Sequence, residues 1–143
     1  MTKLLLSLHV IAAIVCVGPV TLAASLFPRH ARRASAGDPG DATIAVTMHR
    51  ISRRYATLGV LVPVLGLATG AALGVLGDAW LSASILLTAA AAGVLVGLVL
   101  PGQERALAAP PPARLAMHAG LFNVLWAVVV VLMIVRPGST TGA

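Results

Sequence analysis

Four histidines are the side chains of this sequence best suited to chemistry: His9, His30, His49 and His118. An imidazole changes charge near neutral pH, and its nitrogens ligate haem iron, copper or zinc. His9 falls within an uncharged apolar stretch, where an ionisable group is costly and needs a partner, such as a backbone carbonyl or a hydroxyl like that of Ser7. His49 and His118 each follow a methionine, Met48 and Met117, near the starts of two apolar helices that run in the same direction. The two rings are therefore expected at similar depth, either as a cofactor-holding pair or as polar residues resting at the headgroups. His30 is expected in a solvated loop.

Depth separates these groups. A single ion cannot use His9 together with the other histidines, because most of a helix, on the order of 20 Å at ~1.5 Å per residue, lies between them. Cys16 lies beyond His9 by about 10 Å on the same scale, again too far for one metal. The candidate cofactor-binding residues are thus His9, or His49 with His118, and the cofactors such residues suit are haem b or copper. A metal cluster of its own is not expected. No catalytic residue can be assigned either: there is no Gly-rich phosphate loop and no His-Glu-x-x-His, and the only carboxylates are Asp38, Asp41, Asp78 and Glu104. The reading leans away from an enzyme.

These groups must be positioned by helices in lipid. Of the 143 residues 59% are hydrophobic and 10% charged, and the mean hydropathy is +0.99, far above globular values. Uncharged runs cover residues 4–28, 56–77 and 79–103, each long enough for a hydrocarbon core that needs about 20 helical residues. The expected fold class is all-α, a four-helix transmembrane bundle forming a single domain. Its spans are 4–27, 44–76 (with an interfacial start before the membrane), 80–100 and 115–135. They are joined by a linker at 28–43, a tight turn at Gly77-Asp78 and a loop at 101–114, and followed by a polar tail at 136–143. Asp41 offers an N-cap for the second helix. The amino terminus imitates a signal peptide, with Lys3, an apolar run and small residues at 21–25, but the run is longer than a signal core and is taken as a mature helix.

A net charge of +6 and a pI near 11.5 would suggest nucleic acid in a soluble chain. Here the charge reports topology, and no nucleic-acid partner is expected. Arg29, Arg32, Arg33, Arg50, Arg53, Arg54, Arg105 and Arg114 lie on one side of the membrane, against Lys3 and Arg136 on the other. By the positive-inside rule both termini face out from a bacterial inner membrane, and the arginines meet anionic lipids at the cytoplasmic face. Gly66, Gly70 and Gly74, and Ala89, Gly93 and Gly97, recur every four residues. Small residues at that spacing let backbones approach closely, so the second and third spans are expected to pack as an antiparallel hairpin; the same faces are candidates for a homo-oligomer or a larger membrane complex. Asn123 is expected to hydrogen-bond to another helix. No span interior carries a charge, which argues against an ion-coupled transporter.

The run Leu8-His9-Val10-Ile11-Ala12-Ala13 with Gly18, the Arg-rich approach to a span ending in Thr69-Gly70, and Leu100-Pro101-Gly102-Gln103 resemble the DUF2269 family of predicted bacterial integral membrane proteins, over most of the chain. The histidine early in helix one followed by a glycine is more distantly similar to copper-resistance CopD-type and haem-binding HemJ-type membrane proteins. That likeness implies His9 as the haem or copper ligand. The chain lacks the charged residue in a later span that would assist oxidase chemistry, so that activity is not implied. Two roles are therefore expected: an accessory or assembly component acting through helix packing, or a haem- or copper-binding membrane protein.

Overall fold

The computed structural model describes residues 1–139 and is all-helical over them, with four helical stretches long and apolar enough to cross a membrane. Of the expected polar tail, residues 140–143 lie outside the described residues. The first stretch is α1, Thr2–Ser35. The second comprises α2, Pro39–Leu58, and α3, Leu61–Leu73. The third runs through α4, Ala79–Val94, a π-helical turn over Leu95–Val99, and α5, Leu100–Ala106. The fourth is α6, Arg114–Val135. Successive stretches run antiparallel, so the start of α1, the end of α6 and the 74–78 turn share one end, the terminal end, while the connections at 36–38 and 107–113 share the other, the arginine end.

Where sequence and structure differ, local chemistry explains the difference. The 28–43 linker shrinks to three residues, because α1 continues past Pro28 to Ser35 and α2 starts at Pro39. Asp38, not Asp41, caps α2, accepting from the backbone nitrogens of Gly40 and Asp41 at 2.9 and 3.1 Å. Pro39 at the first helical position fits this start, since its missing N–H would be unpaired there in any case. Asp41 is instead buried against α1, where it pairs with Nδ1 of His30 and stands 4.0 Å from Arg33. His30 is therefore a half-buried helical residue holding α1 to α2 rather than a solvated loop residue. The expected interfacial stretch of α2 packs along the C-terminal half of α1, burying Ala45 against Phe27 and Ala31.

Pro63 has no N–H for the carbonyl of Gly59, which is taken by the nitrogen of Val62 at 3.0 Å. That tightened turn is the break between α2 and α3. Pro101 likewise offers no N–H to Gly97, and here the chain widens: the Leu100 nitrogen reaches back five residues to Leu95. The helix expected to end at residue 100 therefore continues to Ala106. The added residue swings the rest of the helix by about 100°, so Gln103 faces inward and is fully buried. Gly102 lies so close to α6 that a Cβ would stand 2.8 Å from Leu115.

The core is uneven. At mid-bundle, Val20 and Ala24 of α1 pack with Ala91, Leu95 and Val99 and with Ala119 and Phe122 of α6. Near the terminal end only Val75, Trp80 and Leu81 form a small cluster, against Met133. The glycine hairpin expected between the second and third stretches does not form. Gly66 lies against His9 of α1, and of this series only Gly70 faces α4, where a Cβ would stand 3.0 Å from Leu81. Gly74 is a left-handed C-cap with φ 72°, a conformation that favours glycine. Gly93 and Gly97 are exposed with nothing near them, because α4 turns Trp80, Leu81, Ser84 and Ala91 inward instead.

Candidate functional site

Poor packing near the terminal end leaves a cleft between α1, α3, α4 and α6. Two chambers of about 370 and 280 Å³ share His9, Ala13, Gly66, Leu81, Val130 and Met133 in their walls. A third, of about 180 Å³, meets the second at Pro63, Thr88, Ala92 and Trp126 and reaches Cys16 and Tyr55. The walls are overwhelmingly apolar. Ligand sites are typically concave, apolar and ~300–1,000 Å³ in volume, with a few polar groups setting orientation.

His9 is the imidazole in this cleft. It is 7% exposed, and its Nδ1 lies 2.9 Å from the carbonyl oxygen of Val62 on α3. A carbonyl only accepts, so Nδ1 carries the proton and donates. In the neutral ring Nε2 then holds the lone pair, and among the described residues no hydrogen bond is made to Nε2. Gly66, one turn beyond Val62, makes this seat available: a Cβ there would stand 2.9 Å from Cε1 of the ring. An imidazole fixed by a backbone carbonyl through one nitrogen, with the other free, is the arrangement that orients histidine ligands toward a metal.

Two features of the cleft were not anticipated from sequence. Met133 on α6 lines both larger chambers with His9 and brings a soft thioether to the same space. Arg136 lines the first chamber near the terminal end. Its guanidinium carbon stands 5.6 Å over the Trp80 ring, its Nε donates to the Met133 carbonyl at 3.2 Å, and the Trp80 indole donates to Asp78 at 2.9 Å. An interfacial role could be read for Trp80 from its position after a turn. Contact with a residue 56 positions later could not.

The remaining histidines go elsewhere. His49 is buried near the arginine end with Nδ1 3.2 Å from Oε1 of Gln103, whose Nε2 donates to Oγ of Ser52 at 3.3 Å. This closed polar group joins α2 to α5. His118 on α6 is half-exposed and makes no hydrogen bond among the described residues, and the structure gives His49 a partner other than His118. Among the described residues no three of His, Cys, Asp and Glu gather as a metal-binding group. Asn123 meets the expectation of an interhelical bond: its Nδ2 donates to Oγ of Ser25 on α1 at 2.8 Å, while Oδ1 is buried without a partner.

Neither family models, curated proteins nor solved structures match this chain. The chemistry of the cleft has to be read from its own residues.

Proposed function

We propose that this integral membrane protein binds a large apolar cofactor in the cleft between α1, α3, α4 and α6, with Nε2 of His9 as the ligating nitrogen. Haem b is the cofactor class that this donor set suits. The observation that carries the reading is the His9 seat: a buried ring with one nitrogen committed to Val62 and the other left with its lone pair. One imidazole nitrogen would suffice to hold haem iron, and the apolar walls would suit a macrocycle. Met133 stands available as a soft second donor, and Arg136 as a cation for an anionic edge of the ligand. Bound haem would supply electron-transfer or ligand-binding chemistry at its iron. A copper or zinc ion alone fits less well, because neither of the two chambers that His9 lines has a second His, Cys, Asp or Glu in its described wall. Titrating haem into the purified protein should saturate at one per chain with a sharpened Soret band; a spectrum no different from haem in empty detergent refutes the reading.

A second reading, an assembly component acting through helix packing, draws on the exposed face of Ala89, Gly93 and Gly97. Small residues at that spacing suit a partner helix. Replacing Gly97 with Leu should then shift the oligomer seen by crosslinking in membranes; an unshifted pattern removes this reading. We further propose that the arginine end faces the cytoplasm, as the positive-inside rule implies. A cysteine in place of Gly37 should resist a membrane-impermeant maleimide in intact cells, and ready labelling would reverse the orientation.

A further inference from the structure

We propose that one face of α2 is a binding site for the phosphate of an anionic glycerophospholipid. Arg50, Arg53, Arg54 and Thr57 succeed one another at the i, i+3, i+4, i+7 spacing that places side chains on a single helix face. Together they line a shallow hollow of about 230 Å³, and all four are exposed. Thr57 turns its hydroxyl back to the Arg53 carbonyl at 3.2 Å. The guanidiniums are thus the free donors of the hollow.

Nothing within the described chain neutralises them. Of the four carboxylates, Asp38 is used as the cap of α2, Asp41 is held by His30 and Arg33, Asp78 accepts from Trp80, and Glu104 takes part in neither ion pair of the described residues. The two ion pairs of the described residues involve none of Arg50, Arg53 or Arg54. Three like charges within little more than one turn repel one another, and an anion shared among them removes that repulsion. Guanidinium forks match phosphate oxygens in geometry as well as charge.

The same side of the helix says which phosphate. Past Thr57 it continues through Leu58, Leu61 and Val64, all exposed apolar side chains. The surface therefore passes from guanidinium to hydrocarbon within one turn, the order of groups along a phospholipid. The opposite face of α2 buries His49 and Ser52 against α5, so the arginines are held outward. A free phosphate would meet only the arginines, whereas a lipid meets the arginines and the apolar strip. Of the other arginines, Arg33 serves Asp41, Nε of Arg105 donates to the Pro101 carbonyl at 3.1 Å, and Arg114 opens α6.

Native mass spectrometry of the full chain in detergent tests this, with palmitoyl-oleoyl phosphatidylglycerol, the matching phosphatidylcholine, and inorganic phosphate as probes. Wild type should retain phosphatidylglycerol in preference to phosphatidylcholine, and phosphate should not displace it. The triple variant R50Q/R53Q/R54Q should lose at least about tenfold in phosphatidylglycerol affinity, since each juxtamembrane cation contributes appreciably. The triple variant R29Q/R32Q/R114Q, with the same net charge, removes arginines outside the hollow and should lose clearly less than the first. The single variant R53Q gives an intermediate loss and serves if the triple variant is poorly folded. Equal losses in the two triple variants would reduce the effect to diffuse charge and overturn the site. Equal retention of the two lipids, or displacement by phosphate, would also overturn it.

Discussion

Replacing His9 with Gly should abolish haem binding, and free imidazole in solution should restore it. The substitution removes the only imidazole among the residues that line the cleft and leaves a space the size of imidazole against Gly66 and the Val62 carbonyl. Supporting partners of a histidine ligand are worth about 10–100-fold in affinity, so loss of the ligand itself should exceed that range. Imidazole rescue separates a ligand from a purely structural residue, because a packing role would not return a Soret band on adding a small base. His49→Ala and His118→Ala should leave the spectrum of the bound cofactor unchanged, since neither ring lines the cleft. Loss of the band in either of these variants, with His9→Gly unaffected, would move the site to the arginine end.

Gln103→Leu should produce the largest loss of stability outside the cleft. The side chain is fully buried and satisfies two groups at once, His49 through Oε1 and Ser52 through Nε2. Leucine leaves both without a partner, and each stranded buried polar group costs about 1–3 kcal/mol. A cost of that size should lower the thermal midpoint in detergent by several degrees. The combined variant H49L/S52A/Q103L removes the stranded groups along with their partner and should recover much of the loss. If Gln103→Leu unfolds at the wild-type temperature, the polar group does not hold α2 to α5.

The four spans were legible because lipid imposes a simple rule: about 20 apolar residues for each crossing, with charges excluded. Helix ends were less legible. Pro28 and Pro101 signal breaks in water, yet here the helix passes Pro28 unbroken and meets Pro101 with a π-turn, an outcome set by tertiary packing rather than by local sequence. His9 stood out because a titratable group in an apolar run is conspicuous. Its partner did not, since a backbone carbonyl 53 residues away leaves no mark on composition. The glycine periodicity was visible, but spacing alone does not say what a small face meets: Gly66 seats a histidine ring, while Gly93 and Gly97 face outward. Gln103 looked like part of a loop motif, and only the register shift before Pro101 turns it inward. Asp38 and Asp41 carry the same side chain three residues apart, and which one caps α2 was decided by His30 drawing Asp41 to α1.

The most direct test of the central claim is the absorption spectrum, with metal analysis, of the protein isolated from its own membrane. The His9 seat predicts a Soret band and iron at one per chain, both missing from His9→Ala prepared in the same way. A featureless, metal-free wild-type sample that also fails to take up added haem would contradict it and leave the outward glycine face of α4 as the feature to pursue.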